Sequence, residues 1–237
     1  MPIGIFATKH PVAPQKWRES AEVVTDALVK YGSAQKSDIR MCPAFEQLKR
    51  PGEVAIELGW FTGRTETQKT AVKETAMRGL SETLGCASSE IRFEIIDGDE
   101  GGWIIRKELP EGQLAASAPV EVPLVLVVTK QIPETIKQRS VAETIVQTLA
   151  AVPGIKKEDV EVCPGYGQLR AGSDSKVRID IAMFTGRDSD KKVFIKKRIV
   201  DDVSSILSVR AADMEANVFE GDSQSWAVKG EILSKRE

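Results

Sequence analysis

The chain has 237 residues, with 33 lysines and arginines against 35 aspartates and glutamates, a net charge of −2 and a single histidine, His10. That balance gives no overall electrostatic pull toward nucleic acid or an anionic membrane. One histidine and three cysteines without a CxxC pair all but exclude a zinc site and leave no histidine-centred triad. No apolar run approaches the roughly 20 residues of a membrane helix and no signal-peptide core opens the chain, so a protein of the reducing cytoplasm is expected.

Ile3 to Phe6 reads as a short strand. Pro14 suits a first helical turn, and Trp17, Ala21, Val24, Leu28 and Tyr31 follow at helical spacing. Strands are expected near Asp38 to Met41 and, from its alternation, over Val54 to Phe61. Thr65, Glu66, Thr67 and Gln68 have the form of a capping box before a helix with Val72, Ala76, Leu80 and Leu84 on one face, and Gly85 is its stop. Ile91 to Ile96 closes this half, and Leu109 to Pro119 has the Gly, Ser, Ala and Pro composition of a linker. Beyond it the order returns. Leu124 to Val128 is an apolar run suited to a buried parallel strand, and Val141, Ile145 and Leu149 form a helical stripe. Strands are expected at Asp159 to Val162 and Val177 to Phe184. Asp188 suits an N-cap before Ile195, Ile199, Val203 and Ile206, and Met214 to Phe219 is the closing strand.

The return is also one of words. MCPAFEQL at Met41 to Leu48 recurs as VCPGYGQL at Val162 to Leu169, and FTGR at Phe61 to Arg64 recurs at Phe184 to Arg187. Cys42 and Cys163 are 121 positions apart, Arg64 and Arg187 are 123 apart, and Trp103 with Trp226 and Glu108 with Glu231 keep the second spacing. This is a duplication. The expected architecture is α/β in two layers: four βαβ units in tandem domains at 1–109 and 120–237 joined by a linker at 110–119. Each domain is a four-stranded mixed sheet with two helices on one face. Its other face is apolar, and exposing it would cost roughly 25 cal/mol per Å², so an oligomer is expected.

Pro2 follows the initiator Met1, and the small second residue predicts removal of Met1 and a free secondary amine at Pro2. An α-amino group titrates nearer neutrality than lysine, and burial beside cations lowers its pKa further, which suits proton transfer at neutral pH. Alternatively, proline is simply tolerated at the start of a strand. Gly63-Arg64 and Gly186-Arg187 each lie between a strand and a helix, where a guanidinium and a helix N-terminus together suit an anion; the plain alternative is a solvated arginine. Trp103 and Trp226 read first as packed aromatic residues near the end of each half.

MPIGIF, the doubled βαβ pattern and FTGRTETQK together resemble the tautomerase superfamily over nearly the whole chain. Val54 to Ile96 looks like the short 4-oxalocrotonate tautomerase subunit. GRDSDKKVFIKKRIVDDVS is similar to the corresponding helix of the cis-3-chloroacrylic acid dehalogenases. The resemblance implies that Pro2, once unblocked, is the catalytic acid or base. It implies that Arg64 and Arg187 bind carboxylate and that Arg92 is a second substrate arginine, with Phe61 and Trp103, beside Trp60, contributing to an apolar pocket. Pro123 aligns with Pro2 but lies inside the chain as an amide, and Glu215 stands where Arg92 has its counterpart. The dehalogenase histidine, near Leu28 here, and its extra arginine, where Phe61 and Phe184 stand, are absent, which disfavours hydrolytic dehalogenation. The activity implied is a cofactor-independent and metal-independent keto-enol or allylic tautomerase on a small carboxylated enol, oxo acid or dienoate, assembled as a homotrimer. The alternatives are a non-catalytic scaffold or binding protein of the same fold, or a proline-dependent hydratase, dehalogenase or decarboxylase.

Overall fold

The computed structural model of the chain describes residues 2–9, 12–45, 54–103, 123–130, 133–166, 175–184, 188–221, 227–228 and 231–232; the expected linker at 110–119 lies outside them. Its first half runs β1 (Ile3–Thr8), α1 (Pro14–Gly32), β2 (Arg40–Phe45), β3 (Val54–Phe61), α2 (Glu66–Leu84) and β4 (Ile91–Gly98). Its second runs β5 (Leu124–Thr129), α3 (Thr135–Ala150), β6 (Glu161–Tyr166), β7 (Val177–Phe184), α4 (Ser189–Leu207) and β8 (Met214–Gly221), followed by the short pair β9 (Ala227–Val228) and β10 (Glu231–Ile232). The doubled βαβ order is the one expected. β2 starts at Arg40 rather than Asp38 because Lys36–Asp38 winds into a 3-10 turn.

Two compact units form, one from Met1–Ile95 with Glu220–Glu237, the other from Ile96–Phe219. They differ from the duplicated halves at the closing strands, since Ile96 to Gly98 of β4 belong to the second unit and Glu220 to the first. Within the first unit, β1 lies between β2, which is parallel to it, and β3, which is antiparallel, and β4 flanks β3. Glu220 pairs there with Phe45, and Ala227 pairs with Met41. The second unit repeats the scheme, with β5 parallel to β6 and antiparallel to β7, and β8 beyond β7.

Strand alternation divides each sheet into two faces. Phe6, Ile56, Leu58 and Trp60 pack under Trp17, Val24 and Leu28 of α1 and Val72, Ala76 and Leu80 of α2. Ile3, Ile5 and Ala7 have the opposite parity and are buried as well. In the second unit Val125, Val127, Ile179 and Ile181 meet Val141, Ile145 and Leu149 of α3 and Ile195, Ile199 and Val203 of α4. Arg178 and Asp180 lie on the other face of β7. Arg178 Nε donates to Asp180 Oδ2 at 2.6 Å, and Asn217 Nδ2 donates to Asp180 Oδ1 at 2.8 Å.

Helix ends follow their sequence signals. Thr65 Oγ1 accepts from Gln68 N at 3.2 Å while Gln68 Oε1 accepts from Thr65 N at 3.1 Å, the reciprocal pair of a capping box. Gly85 ends α2 with φ 70, and Asp188 caps α4 through Lys191 N. Near the start of β8, Arg210 and Lys176 hold the Asp213 carboxyl at 2.7 and 3.0 Å and lower its pKa from 3.8 to about 2. A lowered folded-state pKa means that this stabilisation is present above the unfolded-state value and is lost as pH falls through about 2. Urea titrations between pH 5 and 2 are therefore expected to show a falling midpoint, and Asp213→Asn is expected to flatten part of that fall. An unchanged slope in the variant would remove Asp213 as a contributor.

Candidate functional site

Pro2 stands immediately before β1 and is buried. Its carbonyl accepts from Arg40 N at 3.2 Å, which extends the β1–β2 ladder by one step. Pro123 holds the same place before β5, where its carbonyl accepts from Glu161 N at 2.9 Å. The two prolines are backbone equivalents, and the Pro123 nitrogen is an interior amide.

The antiparallel register pairs Ile3 with Gly59. One step further along β3 is Trp60, so Pro2 lies at the sheet end from which Phe61 and the Gly63-Arg64 turn continue. Gly63 has φ 104, a left-handed value that disfavours any residue with a Cβ. The turn then passes directly into the capped N-terminus of α2, whose unpaired amides add partial positive charge.

Arg64 is half-buried and held on two sides. Its Nε donates to the carbonyl of Gly32, the last residue of α1, at 3.1 Å, and its Cζ lies 5.3 Å from the centroid of the Trp60 ring. Among the described residues none is recorded as accepting a hydrogen bond from Nη1 or Nη2. That edge of the guanidinium has the two-donor geometry that matches a carboxylate.

The other expected residues fall differently. Phe61 is half-buried at the end of β3. Arg92, on β4, donates from Nη2 to Glu57 Oε1 at 3.1 Å and lies with its Nε 3.4 Å from Glu94 Oε1, so two carboxylates already neutralise it. Glu57 is 3% exposed. Trp103 belongs to the second unit, where its Nε1 donates to Pro164 O at 2.9 Å and its own carbonyl accepts from Arg139 Nη1 at 3.1 Å. Arg187 lies outside the described residues. The structure thus brings Pro2, Phe61 and Arg64 to one end of one sheet. Sequence reasoning missed Gly32 as a partner of Arg64 and missed Glu57 as the partner of Arg92. Period-two alternation across β3 and β4 was the available signal for the second pair, and no local pattern encodes the first.

Among the described residues there is no cluster of three or more His, Cys, Asp or Glu placed to hold a metal ion, and no helix is long and apolar enough to cross a membrane.

No family model matches the sequence, and no curated protein matches it significantly. The chain is similar to several solved structures. A fused 4-OT solved as an asymmetric trimer is 12% identical over 47% of this chain and 97% of its own, with a TM-score of 0.43. A protein inactivated by 2-oxo-3-pentynoate is 21% identical over 42% of this chain and 87% of its own, with a TM-score of 0.39. The macrophage migration inhibitory factor of Toxoplasma gondii is 17% identical over 46% of this chain and 98% of its own, with a TM-score of 0.40.

Proposed function

We propose that this protein is a cofactor-independent tautomerase in which Pro2, unblocked by loss of Met1, transfers a proton within a small carboxylated enol, oxo acid or dienoate. The observation that carries the proposal is the placement of Pro2 and Arg64 at the same end of one sheet, with the Nη edge of Arg64 turned to no described acceptor. In the keto-enol case the Pro2 nitrogen takes the enol O–H proton as the oxygen becomes a carbonyl and the C=C electron pair takes a proton at carbon. The protonated amine supplies that second proton, so charge and electrons balance without a redox partner. Arg64 holds the carboxylate and offsets enolate charge as it develops. Arg187 is the corresponding carboxylate ligand of the second half, which has no basic proline. Arg92 serves the site less directly, by maintaining the charge balance around Glu57. Trimeric assembly and a cytoplasmic setting complete the proposal, both consistent with a cofactor-free enzyme acting on a small soluble acid.

The second reading is a binding protein of this fold without chemistry. The pairing of Arg92 with Glu57 and Glu94 favours it, because a second substrate arginine held by two carboxylates is a weak anion ligand. Intact mass spectrometry combined with an absorbance assay of the enol of phenylpyruvate separates the two. The tautomerase is expected to lack the mass of Met1 and to speed ketonisation. A protein that keeps Met1 and leaves the enol at its uncatalysed rate would establish the binding reading instead.

A further inference from the structure

We infer that Trp60 and the C-terminal carbonyl of α1 form a cradle that orients Arg64, making Trp60 a positioning residue for the carboxylate of the substrate. The inference rests on the tautomerase reading for its consequence but on separate contacts for its geometry. An arginine on a flexible stem loses rotamer freedom when it clamps an anion, and a guanidinium whose plane is already fixed loses less.

Here two contacts set that plane. The Nε hydrogen bond to Gly32 O, at 3.1 Å, fixes one edge. Gly32 O belongs to the last turn of α1, where carbonyls lack intrahelical partners and carry partial negative charge. The Trp60 ring, 5.3 Å from Arg64 Cζ, supports the guanidinium through its negative face.

Gly32 is required for this arrangement. A Cβ added there would stand 2.6 Å from Trp60 Cζ2, so any side chain would drive the indole from its place. Trp60 is also an odd choice for a purely structural role. It is completely buried in the helix-facing core, yet its Nε1 has no hydrogen-bond partner among the described residues. A buried N–H without an acceptor is destabilising, a penalty that phenylalanine would not carry. What tryptophan adds over phenylalanine is the larger π-face, the best of the aromatic residues for a cation. The duplication supplies an internal control: Met183 follows Trp60 by 123 positions and Pro153 follows Gly32 by 121. The second half has therefore retained neither the aromatic ring nor the glycine that admits it, in keeping with a half that has no basic proline to serve.

The test uses two readouts on the full chain. In proton–nitrogen spectra of the wild-type protein, the Arg64 Nε–H is expected to exchange slowly and to be shifted by the indole ring current, and Arg64→Lys assigns it by its loss. An Arg64 Nε–H that exchanges freely at an unperturbed shift would overturn the cradle without any core variant. In steady-state assays with the enol of phenylpyruvate, Trp60→Leu is expected to raise KM by roughly 2- to 30-fold with little change in kcat. Trp60→Phe is expected to recover most of that loss. An unchanged KM in a folded Trp60→Leu protein, or a loss that Trp60→Phe fails to recover, would overturn the positioning role. Absence of activity in the wild-type protein would remove the tautomerase reading while the Arg64 resonance still reported whether the cradle exists.

Discussion

Replacing Arg178 by methionine is expected to lower the unfolding free energy by about 3–5 kcal/mol. Arg178 is 1% exposed and Asp180 is fully buried, so removing the cation leaves a carboxylate in an interior that offers it no water. Asn217 continues to donate at 2.8 Å but carries no charge, and Glu215 Oε1, 3.2 Å from the same amide nitrogen, brings a second acid close by. The loss comes mainly from unbalancing the buried charges around Asp180, since two charges repay their desolvation only when good geometry accompanies them. Adding Asp180→Leu to Arg178→Met is therefore expected to restore much of the lost stability, as an apolar pair needs no compensation. Urea unfolding of the single and double variants measures both effects. A single variant within about 1 kcal/mol of wild type would show that Asp180 has another source of compensation.

Replacing Pro2 by alanine is expected to reduce kcat for enol ketonisation by about 10²- to 10⁴-fold, the usual contribution of a positioned general acid or base. Alanine is also small enough for Met1 removal, so the variant keeps a terminal amine. It loses the ring that fixes the secondary amine's position at the head of β1. Its KM is expected to stay near the wild-type value because Arg64 and its contacts do not involve the Pro2 ring. That separation of kcat from KM distinguishes a misplaced base from collapse of the strand end. A large KM increase with unchanged kcat would assign Pro2 to substrate binding.

The features that were legible in the sequence are the ones fixed by local chemistry. Val54–Phe61 alternates, Thr65 and Gln68 lie three residues apart, and Gly85 can adopt φ 70; each signal fits within a few residues, and each element appears where expected. The doubled order followed from repetition of whole phrases. The share of each closing strand that belongs to each compact unit was not legible, because long-range pairings such as Phe45 with Glu220 leave no periodic trace in either segment. The same holds at the candidate site. The Gly63-Arg64 turn before a helix is legible in its own residues, whereas the Gly32 carbonyl that fixes Arg64 is a backbone atom 32 positions away. Arg92 was legible as a cation but not as a neutralised one, since Glu57 and Glu94 become its partners only after β3 and β4 lie side by side.

In the proposed mechanism the nitrogen of Pro2 is a free amine of lowered basicity. Labelling the protein with ¹⁵N-proline and following the Pro2 signal through a pH titration tests it directly. The expected result is one proline nitrogen titrating with a midpoint below the ordinary α-amino range of about 7.7–8.0, as burial disfavours its protonation. A Pro2 nitrogen with an amide shift and no titration, or one that titrates above that range, would contradict the account.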